Sequence, residues 1–277
     1  MTIENDLLAQ KSKAKPNKNP KKVGLALSGG GALGYAHMGF LQAMREAKFD
    51  VDVISGTSMG SIIGVMYAAG YSPIEILEFV DKENMNKVSN VIKLNSSFSR
   101  GFFNHQKLSS VLDKAIPHND FSKLNKKFYC CVVNFNEATY KFVGKGTLLK
   151  EYIAASASIP IVYEPIEIEG VQYIDGGLMQ NLPVEPLVKE KCDLIIGVDV
   201  VAVANKENVK GIMNIISRSI AISIRGNSSY STKQCDYVIT PNLEKYTLLD
   251  FDKAQELFDI GYDAGKEFFN KAKLKKR

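Results

Sequence analysis

The sequence predicts an α/β fold in which helices cover both faces of a mostly parallel central sheet. Short runs rich in β-branched residues, such as 51–55 and 194–200, are typical of buried strands. Segments with apolar residues at helical spacing alternate with these runs along the chain. No linker separates the motifs between residues 29 and 175, so we expect residues 23–277 to form one domain.

The composition fits a soluble globular protein, with 45% hydrophobic and 9% aromatic residues among 277. No apolar run reaches the ~18–20 residues of a membrane span, and the N-terminus lacks the apolar core of a secretory signal. The four cysteines form no C-x-x-C motif, which indicates buried reduced thiols rather than a metal or redox site. We therefore expect a cytoplasmic protein. Whether it also makes peripheral contact with the inner face of the membrane is left open.

The net charge of +5 is concentrated at the two ends of the chain. Residues 1–22 carry +4 and residues 266–277 carry +5, which leaves −4 for the body between them. The first segment is polar and Lys-rich, so we expect a disordered basic arm over 1–22. The basic ends are either solvated termini, which we favour, or segments that are weakly attracted to anionic lipid, by about 1 kcal/mol per basic residue. A nucleic-acid partner is not expected, because no basic patch with interleaved aromatics lies within the body.

The first elements follow from local patterns. The apolar run 23–28 predicts a strand that enters a glycine-rich turn, and the helix after it covers about 35–47. The strand over 51–55 precedes an apolar helix that ends at Gly70.

The rest of the chain continues the alternation. Ser72 as N-cap, ahead of Pro73 and Glu75, predicts the start of a helix. The polar segment 82–104 with scattered aromatics suits an ordinary insertion, which we favour, or a mobile lid. Further helices are predicted over 107–115, 148–158, 183–191, 211–225 and 251–272, and further strands over 128–135, 139–143, 166–168, 171–174, 194–200 and 237–240.

A serine between two glycines stands at the turn from the second strand to its helix. Gly56-Thr57-Ser58-Met59-Gly60 matches the G-x-S-x-G pattern of a nucleophile elbow, with Gly56 and Gly60 as its glycines. Such a turn would place the Ser58 hydroxyl at a helix N-terminus, where unpaired N–H groups favour negative charge. A plain Gly/Ser loop between two core elements is the other interpretation, and the strand-before, helix-after context favours the elbow.

The glycine-rich turn Gly29-Gly30-Gly31-Ala32-Leu33-Gly34 has two functional interpretations. It matches the dinucleotide fingerprint G-x-G-x-x-G, but Asp50 and Asp52 lie at the start of the second strand rather than at its end. The second interpretation is an oxyanion hole, in which glycines let backbone N–H groups approach a substrate oxygen.

A Ser–His–Asp triad is not expected. The chain contains only His37, His105 and His118, and the α/β-hydrolase order requires a histidine after the acid. His37 lies inside the first helix, which is typical of a packing or positioning residue.

Asp175 is the better candidate for the base. It ends a strand and is followed by Gly176 and Gly177, which we expect to leave its carboxylate accessible. A simple turn aspartate is the alternative. An aspartate with an ordinary pKa of ~3.9 is a weak base, so it would have to be desolvated and within hydrogen-bonding reach of Ser58.

The three motifs stand in one order: 29–34, 56–60 and 175–177. In that order, and with the supporting segments 155–160 and 181–184, the chain resembles the patatin-like phospholipase family. It is similar to the bacterial branch of that family and to the catalytic domain of neuropathy target esterase.

The resemblance implies a three-layer α/β/α sandwich with a catalytic dyad of Ser58 as nucleophile and Asp175 as base. It implies an oxyanion hole lined by the amides of Gly30, Gly31 and Ala32, a lipid ester or phospholipid substrate, and neither cofactor nor metal. One departure is Leu33, where many members carry Arg or Lys, and it leaves a phosphate headgroup preference open.

Two hypotheses from different classes follow. The first is a serine lipid acyl hydrolase, and the second is a lipid-binding or scaffold protein on the same fold. Oligomeric state stays open, because the Ile-rich segment 211–225 suits deep burial, which we favour, a dimer contact or an acyl pocket.

Overall fold

The computed structural model of the protein describes residues 20–83, 106–160, 163–201 and 209–274. Most of the predicted basic arm over 1–22 and of the predicted insertion over 82–104 lies outside the described residues. Those two expectations therefore stay predictions.

Eight strands are formed by the described residues. In chain order they are β1 (Val23–Leu27), β2 (Val53–Gly56), β3 (Lys127–Asn134), β4 (Thr139–Val143), β5 (Ile166–Ile168), β6 (Val171–Asp175), β7 (Leu194–Val198) and β8 (Tyr237–Ile239). Every predicted strand is present, and the ends differ by one or two residues from the sequence patterns.

The helices of the described residues also follow the predicted order. They are α1 (Tyr35–Glu46), α2 (Met59–Ala68), α3 (Pro73–Lys82), α4 (Gln106–Ala115), α5 (Leu149–Ser156), α6 (Glu185–Lys189), α7 (Ile212–Thr232) and α8 (Ala254–Ala272). The predicted start of α3 is confirmed, because the Ser72 side chain accepts the Glu75 N–H and the Glu75 carboxylate accepts the Ser72 N–H. α7 runs seven residues beyond its predicted end at 225.

The sheet is mostly parallel at its centre. Strands β3, β2, β1, β7 and β8 lie side by side and pair in parallel, while β4 and β6 pair antiparallel with β3 and β5 pairs antiparallel with β6. The predicted α/β class with a mostly parallel sheet is confirmed.

Strands β2 and β6 share one edge of β3 and meet end to end. Cys130 pairs with β2 at Gly56 and, on its other side, with β4. Val132 pairs with β6 at Asp175 and, on its other side, with β4. Each residue of β3 can pair with only one strand on each side. Since β4 occupies one side of β3, β2 and β6 both lie on the other side. They run in opposite directions, so their carboxyl ends point toward each other across two residues of β3, roughly 7 Å.

Two hydrophobic cores cover the two faces of the sheet. Leu25 and Leu27 of β1 belong to the larger core, together with side chains of α1, α2, α3, α4, α5 and α8. Ala26, between them, belongs to the smaller core with Leu187 of α6. Since successive residues of a strand face opposite sides, helices lie on both faces and the fold has three layers.

Helices α1 and α8 approach each other closely enough for their backbones to touch. A Cβ built on Gly39 would overlap the Phe258 carbonyl oxygen, and one on Gly261 would overlap the Ala36 carbonyl oxygen. The two glycines thus allow α8 to pack directly against the helix that follows the glycine-rich turn.

We expect Gly39→Ala to lower the free energy of unfolding by about 1–3 kcal/mol, because the added methyl must push α1 and α8 apart. Urea unfolding followed by circular dichroism measures this change. Gly226→Ala on α7 is the matched control, since a Cβ there meets nothing within 4 Å and alanine is the better helix former. Equal unfolding midpoints for Gly39→Ala and the native chain would contradict the close crossing.

Candidate active site

The predicted elbow is a sharp, strained turn. Ser58 has φ 53° and ψ −126°, a backbone conformation that costs a non-glycine residue about 1–3 kcal/mol. A Cβ on Gly56 would overlap the Gly60 carbonyl oxygen, and one on Gly60 would overlap the carbonyl oxygens at the end of β1. The glycines are therefore needed for the close packing of this turn, which holds Ser58 at the N-terminus of α2.

Asp175 lies at the carboxyl end of β6, opposite the elbow. Its Oδ1 accepts the Gly177 N–H at 2.7 Å, and its own N–H donates to the Ser158 carbonyl oxygen at 3.1 Å. The Ser58 hydroxyl lies close enough to the Asp175 carboxylate to lower its pKa. The end-to-end arrangement of β2 and β6 thus brings together two residues that are far apart in the sequence.

The expectation of an accessible Asp175 carboxylate is wrong. Asp175 is 4% exposed and Ser58 is 5% exposed. The glycine after the aspartate packs against β3, where a Cβ on Gly176 would overlap the Cys131 carbonyl oxygen. The glycines after Asp175 therefore let the turn approach the sheet, and they do not expose the carboxylate to solvent.

Burial changes the acidity of this carboxyl group. Burial raises the pKa of Asp175 from 3.8 to about 7, while the hydrogen bonds from Ser58 and from the Gly177 N–H act in the opposite direction. The carboxylate accordingly holds a proton far better than an exposed aspartate and can exchange it near neutral pH.

The glycine-rich turn lies beside this pair with two amides unused. The Gly29 N–H donates to the Asn181 carbonyl oxygen at 3.2 Å, and the Ala32 N–H donates to the Leu248 carbonyl oxygen at 3.0 Å. The N–H groups of Gly30 and Gly31 donate to no acceptor among the described residues. The Ala32 amide, predicted to line an oxyanion hole, is already engaged in this structure because the loop at Leu248 packs onto the turn.

Two buried side chains, His37 and Ser28, support the turn from behind. His37 contacts the Ser28 carbonyl oxygen through Nε2 at 2.8 Å, and burial lowers the pKa of His37 to about 4, so the ring is neutral. The Val200 N–H donates to the Ser28 hydroxyl oxygen at 3.0 Å, and Ser28 lies close to Asp199. His37 is thus a positioning residue, as predicted from its place in the first helix.

The other histidines do not form a triad with Ser58 in the part of the chain that the structure describes. His118 is exposed on a loop after α4 and does not line the pocket, and His105 lies outside the described residues. No group of three His, Cys, Asp or Glu side chains within the described ranges is placed to hold a metal ion.

A pocket opens over the pair and the glycine-rich turn. Apart from these groups its walls are mainly apolar, formed by Ile159, Pro160, Leu178, Ile220, Ile224 and Leu248. Ile220 and Ile224 belong to α7, whose Ile215 and Ile222 are instead exposed. The Ile-rich segment thus divides between the pocket and the surface, and the favoured expectation of deep burial is wrong for Ile215 and Ile222.

Two contacting residues were not found from sequence. The Ser58 N–H donates to the Ser156 hydroxyl oxygen at 3.1 Å, and Ser156 lies in the supporting segment 155–160 but was not predicted as a site residue. Asn181 is fully buried and lines the pocket. Its signal was its position, six residues after Asp175 in the same turn region.

Within the described residues, no helix has the length and apolar character needed to cross a membrane.

The chain is similar in sequence to proteins named lysophospholipases. Proteins named lysophospholipase NTE1 from Candida glabrata and Saccharomyces cerevisiae are 28% and 27% identical to the chain over 275 residues. The alignment covers 89% of this chain and 16% of each relative, so the chain spans about a sixth of the length of these relatives. Both are fungal, and the expected bacterial branch stays a prediction.

The fold also resembles a solved structure. VipD from Legionella pneumophila superposes with a TM-score of 0.53 at 16% identity, covering 98% of this chain and 71% of that protein. The family model for patatin-like phospholipases matches residues 25–188, a range that contains the glycine-rich turn, the elbow and Asp175. The chain therefore belongs to the patatin-like phospholipase family.

Proposed function

We propose that this chain is a serine hydrolase of lipid acyl esters, with Ser58 as nucleophile and Asp175 as its base. The observation that carries the proposal is the buried pair of Ser58 and Asp175 at the facing ends of β2 and β6, beside two unused glycine amides. A nucleophile next to a base, facing backbone donors for a developing oxyanion, is the arrangement that acyl transfer requires.

The geometry supports a two-step reaction. Ser58 Oγ attacks the ester carbonyl carbon while its proton passes to Asp175. The oxyanion that forms accepts hydrogen bonds from the Gly30 and Gly31 N–H groups. Collapse of this intermediate breaks the bond to the alcohol, which takes the proton from Asp175. Water then releases the fatty acid from the acyl enzyme. Removing one backbone donor of such a hole typically costs about 10²–10³-fold in rate.

The substrate follows from the walls of the pocket. The apolar lining suits an acyl chain, and the relatives named lysophospholipases make a lysophospholipid the first substrate to test. Leu33 is 2% exposed and packs in the larger core, so this position brings no positive charge to the pocket. Neutral esters and lysolipids therefore both remain candidate substrates.

Two measurements test the proposal. Nitrophenyl esters of increasing chain length are expected to be hydrolysed, with longer acyl chains favoured by the apolar walls. Mass spectrometry of lipid mixtures then identifies the hydrolysed class. Binding of lipid without turnover of any ester would instead favour the scaffold hypothesis.

Peripheral membrane contact through α7 is part of the proposal. Ile215, Ile222 and Tyr230 lie seven and eight residues apart, on one side of the helix, and are 50%, 55% and 70% exposed. The same helix supplies Ile220 and Ile224 to the pocket. An apolar surface on the helix that forms a pocket wall would bring the site to a lipid surface.

We expect Ile222→Ser to slow hydrolysis of lipid in anionic vesicles by about threefold or more, because less apolar area enters the membrane surface. Hydrolysis of a soluble short-chain ester should stay unchanged. Ile74→Ser on α3 is the matched control, since Ile74 is also exposed but lies away from the pocket lining. Equal vesicle activity of Ile222→Ser and Ile74→Ser would contradict a role for α7.

A further inference from the structure

One buried acceptor in the pocket has no partner. The Asn181 side chain is 0% exposed, and its Oδ1 makes no hydrogen bond within the described part of the chain. Its Nδ2 donates to the Gly29 carbonyl oxygen at 3.5 Å, and the residue lines the pocket. A buried acceptor without a donor costs about 1–3 kcal/mol, so a donor that arrives during the reaction would account for this atom.

The unpartnered oxygen lies close to both reacting side chains, in space that two glycines leave free. The point where a Cβ on Gly177 would stand is 3.1 Å from Asn181 Oδ1 and 3.0 Å from Asp175 Oδ1. The corresponding point on Gly29 is 2.6 Å from Asn181 Oδ1 and 3.0 Å from Ser58 Cβ. Side chains at either glycine would occupy this space, and both positions are glycines.

We propose that Asn181 Oδ1 binds and orients the water molecule that hydrolyses the acyl enzyme. This inference rests on the proposed function, because it assigns a role in the second step of that reaction. Water has two O–H groups, and the site offers it two acceptors, the Asp175 carboxylate and Asn181 Oδ1. With both hydrogens held, a lone pair of the water oxygen is free to face the acyl carbon.

The chemistry of the first step leaves Asn181 Oδ1 unsatisfied. The ester oxygens of the substrate are acceptors, and the oxyanion would be repelled by a carbonyl oxygen. The water that replaces the departed alcohol brings a donor that can reach Asn181 Oδ1. The role therefore belongs to deacylation rather than to acylation.

The proposed step balances as follows. One water O–H bond breaks and its proton passes to Asp175, while the water oxygen forms a bond to the acyl carbon. The tetrahedral intermediate collapses by breaking the bond between that carbon and Ser58 Oγ. Ser58 Oγ recovers the proton from Asp175, and the fatty acid leaves.

Asn181→Leu, which matches the size of asparagine but lacks the acceptor, tests the proposal. With a nitrophenyl ester we expect a stoichiometric burst of nitrophenol, formed at close to the native rate, and then slow turnover. Deacylation should fall by about tenfold, the rate equivalent of about 1.4 kcal/mol. Intact-protein mass spectrometry should show the acyl adduct on Ser58, and hydroxylamine, a stronger nucleophile, should release it.

Asn227→Ala is the control for a merely structural role. Asn227 Oδ1 accepts the Asn181 N–H, and its Nδ2 donates to the carbonyl oxygens of Gly177 and Leu178, so its loss should slow both steps equally. Asn181→Ala serves as a second deletion of the acceptor and should behave like Asn181→Leu.

The outcomes separate this inference from the proposed function. If Asn181→Leu and Asn181→Ala slow acylation as much as deacylation, or neither variant folds, Asn181 is structural and the inference is overturned. If the native chain is not labelled by a fluorophosphonate at Ser58, the proposed function itself fails.

Discussion

Ser58→Ala is expected to abolish hydrolysis of lysophospholipid and nitrophenyl esters, with a loss of about 10⁴-fold or more. The reason is that the methyl group cannot form the acyl enzyme, and the glycine amides then act on water alone. A fluorophosphonate probe should label the native chain and leave Ser58→Ala unlabelled.

The control for this experiment is another buried serine. Ser228 is also 5% exposed, its hydroxyl donates to the Ile224 carbonyl oxygen, and it does not line the pocket. Ser228→Ala should keep both labelling and turnover. Equal labelling of the native chain and Ser58→Ala would refute the assignment of the nucleophile.

Asp175→Asn is expected to reduce hydrolysis by about 10²–10⁴-fold while the fold persists. Asparagine has the size of aspartate but cannot accept the Ser58 proton. Activity of the native chain should rise with pH through about 7, because the base must be ionised and the pKa of Asp175 is about 7. Retained turnover in Asp175→Asn would contradict the assignment of Asp175 as the base.

The same variant should become more stable than the native chain at high pH. Since the pKa of Asp175 is raised from 3.8 to about 7, the native state binds this proton more tightly than the unfolded state. The contribution of the carboxyl group to stability therefore falls as pH rises from about 4 to 7 and stays unfavourable above that. Asp175→Asn removes the buried charge, so its thermal midpoint should exceed that of the native chain at pH 8.

Thermal unfolding at pH 4 and pH 8 measures this difference, which should largely vanish at pH 4. Asp113→Asn is the control, because the Asp113 side chain is 66% exposed. A native chain that gains stability relative to Asp175→Asn between pH 4 and pH 8 would show that hydrogen bonds to the carboxylate outweigh its burial and hold its pKa below the ordinary value.

Local sequence patterns predicted the elements well where the physical cause is local. The Ser72 cap satisfies N–H groups within its own helix, and the β7 run is buried along its whole length as its apolar composition indicated. The sequence pattern ended α7 too early, because the glycine, asparagine and serine residues that follow have low helix propensity. There Asn227 and Ser231 bond to residues of the 177–180 turn, so tertiary contacts extend the helix to Thr232.

At the site, sequence indicated which residues to examine but not their surroundings. Motifs and the scarcity of histidine singled out Ser58 and Asp175, since residue type and turn glycines are local properties. The burial of the carboxylate and the engagement of the Ala32 amide by Leu248 were missed, because the covering loop comes from the other end of the chain.

The amino-acid sequence was sufficient to predict the α/β class, the order of its elements, the strained elbow and the glycine-rich turn. The folded chain was needed to show that β2 and β6 end against each other on one edge of β3, which brings Ser58 to Asp175. It was also needed to show that the unpartnered oxygen of Asn181 lies close to both residues. The physical reason is that strand register and packing depend on contacts between distant segments, whereas helix caps, strand burial and turn glycines depend on neighbouring residues.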